Sequence, residues 1–296
     1  MRFSLVAVAL LSFACATPET GREAAPGGTG QRIVSTAPSL TETLFALGVG
    51  ERVVAVSDWC HRPEAARRLP KIGGFANPSV EAILAQRPDL VLFVEGLAET
   101  ARQLESMGVS TLVVRSEDLE GIQASILEIA GRVGAAERGR ELVARMRTDL
   151  QAVESDAAAG PRPRVLMVIS RATGSLSGLY AVGPESFLGE LLERAGGDNI
   201  AADTGMAYPK LSLEEVLARD PEVIIEVVGM AYADGGFEER AAEARALWGA
   251  YPGLGAVRRD AVVPVLDDAL FQPGPRVAEQ ARQLGALLRA GVGAPP

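Results

Sequence analysis

Two metal-ligating side chains, Cys60 and His61, stand side by side in this chain. His61 is the single histidine, and it follows Trp59 and Cys60 in the stretch SDWCHRP. An imidazole or a thiolate there could bind a metal, either one held by the protein or one carried by a ligand. A resident metal site needs further ligands at close, fixed spacing, and none stands nearby; an ordinary loop pair is the alternative reading. Catalytic chemistry finds little footing. The sequence has no GxxxxGK[ST], HExxH or GxSxG, and GVGERV begins like a dinucleotide turn but has Val53 where the third glycine belongs. Any general-base scheme resting on imidazole has only His61 to use. The adjacent Asp267 and Asp268 read as solvated loop acids. An exported α/β enzyme is thus the weaker reading, and binding without catalysis the stronger.

A second pattern is a repeat. FANPSVEAILAQRPDLVL and YPKLSLEEVLARDPEVII align without a gap at a constant offset of 133 residues. The alignment pairs Phe75 with Tyr208, Ser79 with Ser212, Glu81 with Glu214, Pro88 with Pro221 and Asp89 with Glu222. In each copy an aromatic precedes a Glu by six residues, Ser opens a short helix and Pro ends it before a buried strand. Local capping accounts for part of this, because Ser and Glu at a helix start satisfy free amides and the helix dipole. Ser212 to Glu215 spells a capping box. Position supplies the other reading. Loops at the carboxyl ends of parallel strands gather ligands, so Phe75 and Tyr208 would face one guest from opposite sides. Glu81 and Glu214 would then stand on two outer rims.

The elements that must hold these residues alternate. RIVST, RVVAVS, LVLFV and TLVV read as strands, separated by helices ending at Gly48 and spanning about Ser79–Gln86 and Leu97–Met107, with a further helix over Leu119–Val133. Apolar strands with few polar interruptions indicate parallel sheets covered on both faces. Next, Leu142, Met146, Leu150 and Val153 recur at helical spacing with charges opposite, predicting a helix of roughly 20 residues and ~30 Å. Alternation resumes with RVLMVIS, SFLGELLERAGG, the second copy, VIIEVV, a helix around Phe237–Leu247, AVVPV and a final helix over Pro275–Leu288. The expected fold class is α/β: two similar lobes with mostly parallel sheets, joined by one long rigid helix, the ligand cleft between them. The divisions are 1–15 signal peptide, 16–31 flexible linker, 32–136 first lobe, 137–157 linking helix and 158–291 second lobe, with 32–291 forming one binding unit.

Bulk properties bound the partners. A net charge of −9 without a basic stripe argues against nucleic acid and acidic membrane surfaces. FSLVAVALLSFA after Arg2 is too short for a stable span and reads as an export signal. Ala14-Cys15-Ala16 fits a secretory cleavage site, and Cys15 alternatively resembles a bacterial lipoprotein's lipidated cysteine before a Gly-, Pro- and Thr-rich tether. The expected location is the periplasm or cell envelope, exported and lipid-anchored at Cys15 if that second reading holds. Either processing leaves Cys60 without an intramolecular partner.

RIVSTAPSLTETLFALGVGERVVAVSDWC, LPKIGGFANPSVEAILAQRPDLVL, YPKLSLEEVLARDPEVII and QPGPRV together resemble periplasmic substrate-binding proteins of the iron-siderophore and cobalamin class. The resemblance runs over about Arg32 to Leu288. SDWC ahead of GGFANPSVE brings it nearest the cobalamin-binding members. It implies a monomer that captures cobalamin or another corrinoid and delivers it to an ABC-importer permease and, through it, the ATPase. It implies ligand contacts from Trp59, Phe75, Tyr180, Tyr208, Asp268 and Gln272, and permease docking through Glu81 and Glu214. No catalytic cofactor is implied. Gln272 stands where the cobalamin-binding pattern has Arg. Haem or a ferric siderophore is the alternative cargo; the latter are often anionic and favour cationic clefts.

Overall fold

The computed structural model describes residues 30–229, 236–266 and 270–292. Cys15, Asp268, the expected signal and all but the last two residues of the expected tether lie outside them. In the first half, β1 (Ile33–Ser35), β2 (Val53–Val56), β3 (Leu90–Val94) and β4 (Thr111–Val114) form a parallel sheet ordered β2-β1-β3-β4. Helices α1 (Pro38–Ala46), α2 (Glu64–Arg67), α3 (Val80–Ala85) and α4 (Ala98–Ser106) fill the connections, and α5 (Leu119–Arg132) follows. Every residue of β3 is buried, as expected for a strand covered on both faces.

The second half holds β5 (Arg164–Ser170), β6 (Leu179–Ala181), β7 (Asp198–Asn199), β8 (Lys210–Leu211), β9 (Val223–Gly229) and β10 (Val262–Leu266). Its order is β10-β9-β5-β6-β8, with β7 beside β5. β10, β9, β5 and β7 are parallel, whereas β6 runs antiparallel to β5 and β8. The short β6, β7 and β8 carry too few residues for a legible alternation. Helices α7 (Phe187–Arg194), α8 (Leu213–Arg219), α9 (Phe237–Gly249), α10 (Gly255–Arg258) and α11 (Val277–Val292) complete it.

The textual repeat is also a repeat of hydrogen bonds. The Arg32 amide donates to the Asp89 carboxylate at 2.8 Å, and the Arg164 amide to that of Glu222 at 3.1 Å. In return the Asp89 amide donates to the Arg32 carbonyl and the Glu222 amide to the Arg164 carbonyl, both at 2.8 Å. Arg32 Nε reaches the Arg87 carbonyl, Arg164 Nε that of Asp220. Arg87 and Asp220 both hold left-handed backbone, φ 48° and 43°. Each precedes its proline, which disfavours the right-handed region for the residue before it. The edge arginine of β1 or β5 thus ties down the strained turn that feeds β3 or β9.

Between the halves runs α6 (Ala136–Ala158), 23 unbroken residues and ~35 Å. Leu142, Val143, Met146, Leu150 and Val153 form its buried stripe. They belong to one apolar cluster that includes Ile33 and Leu44 of the first half and Val165, Leu188 and Leu284 of the second. Each large apolar side chain so buried contributes roughly 1.5–3 kcal/mol, so α6 is cemented to both halves. The outer faces of the sheets pack separately, around Ile83 and Phe93 in one half and Val216 and Trp248 in the other.

Candidate functional site

Parallel strands deliver their carboxyl ends to one edge of the first sheet, and a cavity of about 1100 Å³ opens there. Ala37 and Ser39 follow β1, Asp58 and Trp59 follow β2, Glu95 follows β3, and Glu117 follows β4; all line it. The second half supplies the facing wall through Phe187, Tyr208, Phe271 and Gln272. At the base the halves touch directly: the Phe187 amide donates to the Glu117 carbonyl at 2.7 Å, and the Leu119 amide to Glu190 Oε1 at 3.0 Å.

The aromatics are presented, not packed away. Trp59, Phe75 and Tyr208 are 39%, 42% and 41% exposed. A Cβ on Gly74 would lie 2.7 Å from Asn77 Oδ1 and 3.9 Å from the Trp59 ring nitrogen, so glycine lets this turn close. Across the cavity, Gly183 plays the same part. Its amide donates to the Ala207 carbonyl at 2.8 Å, and a Cβ there would sit 2.0 Å from the Met206 carbonyl oxygen. This contact sets the turn that carries Tyr208. Partial burial pushes the Tyr208 phenol pKa up, with the Glu117 carboxylate acting in the same direction. It therefore stays neutral, a donor and acceptor near the ring planes.

Gln272 is held from behind. Gln280, fully buried on α11, donates to the Gln272 carbonyl at 2.9 Å. Arg276 reaches across to Glu42 of α1 with bonds of 2.6 and 3.0 Å, so the wall segment Phe271–Pro273 is tied to the first half.

Other expected contacts fall elsewhere. Tyr180 is 44% exposed but outside the cavity lining: in β6 its neighbours Leu179 and Ala181 point into the core, and strand alternation turns Tyr180 the opposite way. Cys60 is fully buried, its sulfur 3.2 Å from the hydroxyls of Thr41 and Ser57. Burial pushes its thiol pKa up, and a protonated core thiol is no ligand for a guest's metal. His61 is half-buried and likewise outside the lining. Among the described residues no group of three or more His, Cys, Asp or Glu could hold a metal ion. Asp58, Glu95, Glu117, Phe187 and Phe271 line the cavity without having been singled out in the sequence; Glu95 and Glu117 were within reach of the strand-end rule, since each closely follows an apolar run.

The repeated glutamates divide labour with their neighbours. Ser79 Oγ accepts from the Ala82 amide at 3.1 Å, and Ser212 Oγ from the Glu215 amide at 3.2 Å. Glu215 completes the capping box with a 2.8 Å bond from the Ser212 amide, which holds its carboxyl below the usual range. Glu81 and Glu214 stand one position earlier, exposed in the first turns of α3 and α8. A second, more open cavity of about 740 Å³ borders Glu214 with Leu247 and Tyr251; only second-half residues line it.

Comparison with known proteins agrees with this architecture. The periplasmic binding protein family model matches residues 33–241. A vitamin B12-binding protein of Pectobacterium atrosepticum is 29% identical over 269 residues, 87% of this chain and 88% of that protein. The apo periplasmic heme-binding protein RhuT of Roseiflexus sp. RS-1 superposes with a TM-score of 0.75 at 29% identity, covering 88% of this chain and 99% of that one. The periplasmic vitamin B12 binding protein BtuF of Vibrio cholerae gives a TM-score of 0.68 at 25% identity, covering 88% and 98%. With two sheet-based halves flanking one cleft and a family match over most of its length, the chain belongs to the periplasmic binding protein family, the extracytoplasmic substrate-binding components of ABC importers, whose partners are a small-molecule ligand and a membrane permease.

Proposed function

We propose that the chain captures a corrinoid between its two halves and delivers it to the permease. One observation carries the reading: a single cavity of about 1100 Å³ takes Trp59 and Phe75 from one repeat half and Tyr208 and Gln272 from the other. That volume lies above the range of roughly 300–1,000 Å³ typical of drug-sized ligands, as a macrocycle requires. Aromatic planes recover apolar ring faces from water at about 25 cal/mol per Å². Gln272, Asn77 and Ser39 offer uncharged partners to an amide fringe. The vitamin B12-binding relatives support the same ligand class.

Handover follows from Glu81 and Glu214. The serines and Glu215 already satisfy the helix ends, leaving these exposed carboxylates for guanidinium groups of the permease. With α6 packed on a core shared by both halves, large hinge closure is disfavoured, and release comes from the permease prising the lobes apart. Export with a lipid anchor at Cys15 belongs to this reading. Haem is the second reading, favoured by the likeness to heme-binding structures.

Purifying the protein with its native pigment and recording the visible spectrum tests the ligand: corrin bands support the proposal, and a Soret band would replace it with haem. E81A/E214A is expected to keep ligand affinity while losing ATP-driven uptake. Unimpaired uptake would refute the docking assignment.

A further inference from the structure

We infer that the cleft sorts guests by net charge, favouring cationic, phosphate-free corrinoids and turning away anionic tetrapyrroles. The inference rests on the corrinoid reading above and deepens it. Three carboxylates, Asp58, Glu95 and Glu117, line the cavity, and no Lys or Arg appears among its described lining residues. They follow β2, β3 and β4 in turn, so parallel topology sets all three along the carboxyl edge of one sheet. Arg115, exposed and outside the lining, pairs with two of them at 3.4 Å, Glu95 and Glu117. Three carboxylates against one guanidinium give these four side chains net −2; the Lys71 ammonium, outside the lining, is held by the Ser57 and Cys60 carbonyls at 3.4 and 3.3 Å. The opposite wall offers Tyr208, held neutral, and the uncharged Gln272.

An anion entering this cleft gives up water and finds no cation in exchange. A haem carries two propionates, and a complete cobalamin carries a phosphodiester on its lower loop. A cobinamide lacks that loop and is cationic through its cobalt. At separations of ~8 Å, with a dielectric between that of a protein surface and water, each pair of unit charges changes affinity by about threefold. Haemin, whose ferric centre offsets one of its two propionates, is a monoanion, and against net −2 it is disfavoured by about tenfold relative to a neutral guest.

The test is a visible-absorbance titration of the full chain with diaquocobinamide, cyanocobalamin and haemin at low and high salt. Wild type is expected to bind cobinamide at least as tightly as cobalamin and both well above haemin, with the spread narrowing in salt. In E95Q/E117Q the rim falls to net zero and Arg115 is released, so the cobinamide-to-haemin affinity ratio is expected to drop about tenfold or more. D58N, at a separate strand end, is expected to move the ratio the same way by a smaller factor, and it keeps the test alive should the double variant fail to fold. Corrinoid binding whose preference over haemin is the same in every variant and at every salt concentration would overturn the charge inference alone. Failure of wild type to bind any corrinoid would overturn the corrinoid reading and this inference with it.

Discussion

Replacing Glu42 with Gln should loosen the tie between the cleft wall and the first half. Glu42 and Arg276 are joined by two bonds of 2.6 and 3.0 Å, with side chains only 9% and 20% exposed. Removing one partner of a fully buried pair costs about 3–5 kcal/mol, because the remaining charge is stranded. Here the cost is smaller: Gln retains an acceptor, Arg276 keeps some water, and Glu279 lies 3.9 Å away. About 2 kcal/mol is the expected loss. For a folded unit of this size that lowers Tm by roughly 4–8 °C, read in a thermal melt followed by circular dichroism. The double variant E42Q/R276M is expected to lose less than the two single changes added, since both changes remove the same pair of bonds. Ligand affinity should fall as well, because Arg276 closely follows the lining segment Phe271–Pro273. A Tm within about 1 °C of wild type, or strict additivity in the cycle, would refute the assignment of this pair as a lobe tie.

Three other outcomes can be checked with simple variants. Ser212→Ala should cost about 1 kcal/mol by removing the α8 cap, whereas Glu214→Ala should leave Tm unchanged; equal losses would contradict the division of labour seen here. Gly183→Ala forces a methyl against the Met206 carbonyl, so it should lower both Tm and ligand affinity, and a neutral result would show that the Tyr208 turn is set by other contacts. Cys60 should resist thiol reagents until the protein unfolds. Because its folded pKa is raised above the ordinary 9.0, its contribution is complete below about pH 9 and is lost as pH rises through the folded value. The urea midpoint of wild type should therefore drop more than that of Cys60→Ala between about pH 8 and pH 10, and parallel curves would refute it.

Much of the scaffold was readable because periodicity and punctuation are local. The stripe Leu142, Met146, Leu150 and Val153 foretells α6, and Ser212–Glu215 spells the cap that forms. The repeat predicted two alike halves, and the paired bonds of Arg32 and Arg164 realise that likeness atom by atom. The outward face of Tyr180 and the burial of Cys60 were not legible, because the face a side chain presents depends on short pairings and on packing partners far along the chain. β6 has three residues, too few to declare which face is inward.

Sequence alone determined where the longer helices and strands begin and which aromatics precede the two capped helices, since these depend on neighbours within a few residues, and the ungapped repeat showed that one half echoes the other. Only the tertiary structure decided that Asp58, Glu95 and Glu117 share a rim with the facing Tyr208, and that Glu42 meets Arg276 across 234 positions. Such encounters follow from strand order and from the angle at which two halves close on a common core, and no local pattern records either.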